Sequence, residues 1–250
     1  MLRSSRSRLL PGLCGVLVSL AAAASSGCLS DAGAGAHGRH GAHGTHADGG
    51  ARGAHDATVR HRFRDPARWA ERFDAPECDA WQRPQAVIAA LGIRAGERVA
   101  DIGAGTGYFS VRIAPVVGPG GRVFAVDVEA AMVDYLRERA AAAGLENIEA
   151  IETQPDRPGL PASSVDLVFI CDTWHHIDDR LHYLDALRAV LRPGGRVAIV
   201  DFRPGDLPVG PPAGHKLAPE AVIAEFRQAG WKLREAPDVL PYQYILVFEP

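Results

Sequence analysis

The chain has 250 residues, 47% of them hydrophobic, enough for one domain with a substantial core and extensions. Its formal net charge of −3 excludes a global field that would gather nucleic acid. The four cysteines, Cys14, Cys28, Cys78 and Cys171, are scattered without a C-x-x-C pair, which excludes a disulfide framework and a zinc knuckle.

Residues 1–28 read as an export signal. Arg3, Arg6 and Arg8 precede an apolar stretch from Leu9 to Ala24 that is short and rich in small residues. The stretch ends Ser25-Ser-Gly-Cys28, which resembles a bacterial lipoprotein processing site, although Ser25 stands where leucine is usual. The resemblance implies lipid on Cys28 and a place in the cell envelope. A plain secretory signal, or a misassigned start and a cytoplasmic protein, are the alternatives. Residues 29–57 are a Gly/Ala/His linker whose composition predicts disorder. His37, His40, His43 and His46 recur at every third position, with His55 and His61 beyond. Clustered imidazoles bind transition-metal ions weakly, but a solvated tether is the reading adopted and no functional metal site is expected.

Residues 58–83 are dense in arginines, acids and aromatics. Arg68, Trp69, Arg72 and Phe73 have helical spacing. Asp65, Glu71, Asp74, Glu77 and Asp79 nearly cancel the basic charge, which argues against single-stranded nucleic acid. A helix is predicted over 84–91, with proline in its first turn and Gly92 after it.

Arg98–Ile102 reads as a buried strand. It runs into a loop with glycine at every second position, Gly103, Gly105 and Gly107, followed by helical spacing from Tyr108 to Val117. Glycine takes positive φ and carries no Cβ, so a ligand can lie against bare peptide N–H groups there. Tyr108 occupies the place of the third glycine in the dinucleotide pattern G-x-G-x-x-G, and no Gly-Lys-Ser/Thr follows. The form present is G-x-G-x-G with Asp101 two residues before it. Here the chain resembles the class I S-adenosylmethionine-dependent methyltransferases, whose first motif has this form. The resemblance spans about residues 84–250 and implies that 58–83 form a lid over the cofactor, with Trp69, Phe73 and Trp81 closing the pocket or packing at its rim.

A second strand, Arg122–Val128, ends at Asp127, 20 residues beyond Gly107, where an acid holds ribose hydroxyls; Glu129 is the fallback. The cofactor site is thus expected at Asp101, Gly103, Ala104, Gly105, Gly107, Tyr108, Asp127 and Val128. A helix over 130–143, a third strand over 148–153 and a proline-rich loop over 154–164 follow. The resemblance implies that a polar residue of that loop reaches the adenine, with Gln154 and Asp156 both standing as candidates.

Val165–Cys171 reads as a buried fourth strand opening with Asp166. At its carboxyl end stands Cys171-Asp-Thr-Trp-His-His176, where an open α/β sheet binds its ligands. Methyl transfer needs alignment and at most a proton acceptor, for which His175 or His176 has a suitable pKa. Ordinary packing of this pair is the alternative, and adjacent histidines do not suit one metal ion. Asp172 is grouped with both catalytic and cofactor contacts. The Asn/Asp-Pro-Pro-aromatic run of enzymes that methylate amide or exocyclic amino nitrogens is lacking, which leaves a small molecule, or an oxygen, carbon or other acceptor.

A helix over 180–191, an Arg-Pro-Gly-Gly turn and a strand over 196–202 extend the resemblance. His215 precedes a helix over 219–229, and strands are predicted over 232–239 and 243–249. The resemblance implies a Rossmann-like three-layer α/β sandwich: a mostly parallel seven-stranded sheet with an antiparallel last strand. It also implies an S-adenosylmethionine-dependent methyltransferase. The alternatives are an NAD-linked oxidoreductase, which Tyr108 opposes, and a non-catalytic envelope-anchored cofactor-binding protein, because S-adenosylmethionine is made inside cells.

Overall fold

The computed structural model describes residues 65–250. The export signal with Cys28 and the six histidines from His37 to His61 lie outside the described residues. Three helices lead in: α1 (Pro66–Phe73), α2 (Cys78–Gln82) and α3 (Pro84–Ala90). Alternation follows as β1 (Arg98–Ile102), α4 (Ser110–Val117), β2 (Arg122–Asp127), α5 (Ala130–Ala142), β3 (Ile148–Glu152) and β4 (Val165–Cys171). The chain closes with α6 (Arg180–Val190), β5 (Leu191–Phe202), α7 (Pro219–Gln228), β6 (Lys232–Glu235) and β7 (Gln243–Glu249).

The strands form one sheet in the order β3-β2-β1-β4-β5-β7-β6. The first five pair in parallel, whereas β7 runs antiparallel to both β5 and β6. Both faces of the centre are covered, which is why β4 reads as a continuous apolar run. Its residues point alternately to the two layers. Val168 and Ile170 join Trp174, Leu184, Leu187 and Phe226 on one side. Leu167 and Phe169 join Val87, Phe109 and Ile113 on the other. From β1 the chain steps outward to β3 and then returns to β4 on the other side of β1. The reversal opens a crevice beyond the carboxyl ends of β1 and β4. Asp166 serves the opposite end of the sheet: its carboxylate accepts the Arg98 N–H at 2.8 Å and pairs with Arg192 at 3.3 Å.

The elements depart from expectation in three places. Helix α4 starts at Ser110, leaving Tyr108 in the loop. The Arg-Pro-Gly-Gly segment is carried within β5 as a bulge: Val165 pairs with Leu191 but Leu167 with Arg196. Strand β6 ends at Glu235 rather than 239, because Pro237 brings no ladder donor, and Leu240 turns into the core instead.

The largest aromatic cluster sits under α7. Phe226 is fully buried, stacked on Phe248 at 3.7 Å between centroids and 5.2 Å from Trp174. Truncating it leaves a cavity the neighbours cannot fill, so Phe226→Ala is expected to cost about 3–5 kcal/mol in urea unfolding. Leu233→Ala on the exposed edge strand is expected to cost less than about 1 kcal/mol. Equal losses for the two would contradict this placement of the core.

Candidate functional site

At the end of β1 the backbone passes through Gly103, Gly105 and Gly107 with φ of +71°, +55° and +84°. The three glycines meet different surroundings. A Cβ on Gly103 would overlap the Thr173 side chain, and one on Gly107 would come within 3.1 Å of Leu136. A Cβ on Gly105 would meet nothing within 4 Å. The outer two glycines therefore serve packing, and Gly105 alone presents bare backbone to open space. Four amides of this loop, those of Gly103, Ala104, Gly105 and Gly107, are bonded within the protein, contrary to expectation. Gly103 and Ala104 both donate to the Val126 carbonyl, at 2.8 and 3.0 Å, and Gly107 donates to the Ala104 carbonyl at 2.8 Å. Sheltered N–H groups need partners, and these partners fix the shape of the bend.

Asp127 closes the bend from β2. Its Oδ2 accepts the Gly105 N–H at 2.8 Å and its Oδ1 accepts the Glu129 N–H at 3.0 Å. Burial pushes this carboxyl above the ordinary range, against the pull of the amides that bond it. A carboxylate offers about four acceptor positions, so about two remain for a vicinal diol. Beside it Val128 is 48% exposed, an apolar face at the strand end. Asp101 lies beneath the loop, where the Ser110 hydroxyl donates to Oδ2 at 2.6 Å. Tyr108 turns its hydroxyl to Asp79 of α2, with the Arg112 guanidinium 3.9 Å above its ring centroid.

The ends of β4, β5 and β7 hold a second polar group. Asp172 follows β4 with φ +50°, a conformation an aspartate tolerates better than most residues. The Gln243 amide donates to both its oxygens at 2.9 Å. Burial and the nearby Asp201 charge push the Asp172 carboxyl up, while Gln243 and His175 oppose the rise. His175 is 3% exposed, with Nδ1 2.9 Å from Asp201 Oδ2. Burial works against its charged form, but Asp201 and Asp172 outweigh it and raise its pKa. The His176 ring lies 4.1 Å from that of His175. Burial, together with Asp172, Asp101 and Asp201, pushes the Cys171 thiol well above its ordinary range.

Gln154 and Asp156 line a cavity of about 330 Å³ together with Ile177, Asp178, Asp179 and His182. Both Asp156 oxygens are taken by Arg157, at 2.8 and 3.0 Å. His215 lies in the short turn Ala213–His215, outside the hydrogen-bonded cluster of Asp172, Gln243, His175 and Asp201. Trp81 packs on Phe202 at the end of β5, at 5.5 Å between centroids, and Trp69 and Phe73 stack on each other.

Sequence reasoning missed Asp201 and Gln243. Asp201 carries the signal that exposed Asp127, an acid near the end of an apolar strand. Gln243 had none, because its role depends on the antiparallel register that places it opposite Phe202.

Comparison with known proteins agrees with this geometry. Residues 99–195 match a family described as a methyltransferase domain. The chain is 35% identical to aklanonic acid methyltransferase DauC of Streptomyces sp. (strain C5), over 51% of this chain and 59% of that protein. It is 33% identical to the ubiquinone/menaquinone biosynthesis C-methyltransferase UbiE of Hahella chejuensis, over 49% of each. The chain thus spans about half the length of these curated relatives. A SAM-dependent methyltransferase from Aquifex aeolicus has the same fold, with a TM-score of 0.70 at 28% identity, covering 74% of this chain and 97% of that one. The fold is Rossmann-like, and residues 99–195 are similar to a methyltransferase domain.

Burial raises the Asp101 carboxyl from 3.8 to about 6 against the pull of the Ser110 hydroxyl, with the Asp127 charge adding to the rise. The folded protein therefore holds this proton more tightly than the unfolded chain. The stability tied to that proton is full below 3.8 and is lost as the pH rises through about 6. Asp101→Asn removes the titration. Wild type is expected to lose about 3 kcal/mol relative to this variant across that window in urea unfolding. A pH-independent difference would contradict the assignment.

Proposed function

We propose that the chain transfers a methyl group from S-adenosylmethionine to a small organic acceptor. The observation that carries the reading is the pairing of the open Gly105 backbone with an Asp127 carboxylate that keeps about two acceptor positions unused. The residues present fit the cofactor. Asp127 would take the ribose hydroxyls, Val128 would face the base, and Gln154 or Asp156, which line one cavity, would take its polar edge. The amino-acid end would lie along Gly103–Gly105, over Asp101. When bound, the cofactor supplies a methyl already activated on a sulfonium.

The chain's own residues then have to align the acceptor and exclude water. We place the acceptor against Asp172, whose carboxylate is held by Gln243 and feels the charges of Asp201 and His175. His176, beside His175, is the alternative proton acceptor. The curated relatives are named for aklanonic acid and for ubiquinone/menaquinone biosynthesis, which supports an organic small molecule. We further propose that residues 1–28 direct export and that Cys28 carries lipid.

Titration calorimetry of the full chain with S-adenosylhomocysteine is expected to give micromolar affinity. Gly105→Val should abolish binding, because its side chain fills the open approach at a φ that valine resists. Asp127→Ala should weaken binding about 10- to 100-fold, the scale of two lost hydrogen bonds from a charged group. Undiminished affinity in both variants would count against the reading. Separately, fractionation of tagged cells is expected to place the chain with membranes and to release it on Cys28→Ala. A cytoplasmic wild-type protein would overturn the export proposal and leave the enzymatic one standing.

A further inference from the structure

Two residues outside the glycine loop, Asp74 and Arg139, grip it at Thr106 from the side of α1. Arg139, in the last turn of α5, donates from Nη1 to the Thr106 carbonyl at 2.9 Å and to Asp74 Oδ2 at 2.5 Å. Asp74, which ends α1, accepts the Thr106 hydroxyl on its other oxygen at 3.3 Å. Thr106 is 1% exposed and stands between the positive-φ residues Gly105 and Gly107. A glycine-flanked residue carries an unusually large conformational entropy when unrestrained, so ties at this point have the most freedom to remove. The bend is already fixed on its β2 side, where Gly103 and Ala104 bond Val126 and Gly105 bonds Asp127. On the opposite side its tie to α5 and α1 is the Arg139–Asp74 pair.

A second attachment repeats the arrangement one step along. Asp79 of α2 accepts the Tyr108 hydroxyl and pairs with Arg112 at 3.0 Å. Arg112 in turn donates to the Tyr108 carbonyl at 2.8 Å. Helices α1 and α2 therefore each reach the glycine loop through a carboxylate paired with an arginine on a neighbouring helix. The Asp74 and Arg139 side chains are 15% and 24% exposed, so loss of either partner strands a partly desolvated charge beside the loop.

We propose that Asp74 and Arg139 are positioning residues for the cofactor: through Thr106 they hold the Gly105–Gly107 bend in its binding shape and make α1 part of the cofactor site. This rests on the reading of the bend as the S-adenosylmethionine site. Pre-organisation of this kind appears as affinity without any contact to the ligand. Linkage then requires the reciprocal effect, that a bound ligand steadies α1.

The test uses the full chain, with S-adenosylhomocysteine as the probe in titration calorimetry and urea unfolding as the check on folding. Asp74→Asn and Arg139→Gln are each expected to weaken binding about 10-fold, and the double variant by about the same factor rather than the product, because both act on one junction. Thr106→Val should reproduce the loss and Thr106→Ser should restore affinity. Arg137→Gln, on the same helix but paired with Asp134 at the surface, should leave affinity unchanged. In wild type the ligand should slow tryptic cleavage after Arg68 and Arg72 several-fold, and Asp74→Asn should remove that protection. Unchanged affinity in both single variants would overturn the inference, as would losses that multiply in the double variant or that only track a fall in urea midpoint. A wild-type chain that does not bind the probe would overturn the cofactor reading itself, and this inference with it.

Discussion

The hydrogen bond from the Gly105 N–H to the Asp127 carboxylate, 2.8 Å long, is the contact on which the site depends. It joins the bend after β1 to the end of β2, two positions that the parallel pairing of Ile102 with Val126 brings side by side. Without it the glycine at the apex would be free to exchange between conformations of either sign of φ. With it, the backbone at Gly105 is held against the end of β2, while a Cβ there would still meet nothing within 4 Å. One side chain thus shapes the backbone of the bend. Burial taxes that arrangement by raising the Asp127 pKa, and the amides that surround it are the compensation.

The charge distribution follows from the topology. An open parallel sheet brings the carboxyl ends of its strands together, so acids that end separate strands in sequence become neighbours. Asp101, Asp127, Asp172 and Asp201 all arrive at this edge. Each is given donors: Ser110 for Asp101, Gly105 and Glu129 for Asp127, Gln243 for Asp172, and the Phe202 amide with His175 for Asp201. The His175–Asp201 pair inside the layer under α7 is the part of this edge most removed from solvent. Its consequence for the site is electrostatic, since it sets the field in which Asp172 ionises.

Much of the fold was legible because local signals and tertiary demands coincide. β1, β4 and β7 are apolar runs bounded by turn residues, and their limits fall where those residues stand. The strand expected over 232–239 stops early because Pro237 ends the ladder, and Val239 packs against the core instead. In the site, Gly105 and Asp127 were visible from spacing alone. The glycines have a second physical reason that spacing does not carry: two of the three answer to Thr173 and Leu136, and four of the loop amides bond within the protein. Asp74, Arg139 and Gln243 were out of reach, because their roles arise from contacts between elements distant in the chain, which no periodicity records.

The most direct test is a crystal structure of the full chain grown with S-adenosylhomocysteine. The account predicts the ribose hydroxyls on the free positions of the Asp127 carboxylate, the Gly105 N–H still bonded to that carboxylate, and the amino-acid end lying along the bend. A ligand seated elsewhere, or a bend rebuilt so that Asp127 leaves Gly105 and the ribose alike, would contradict it.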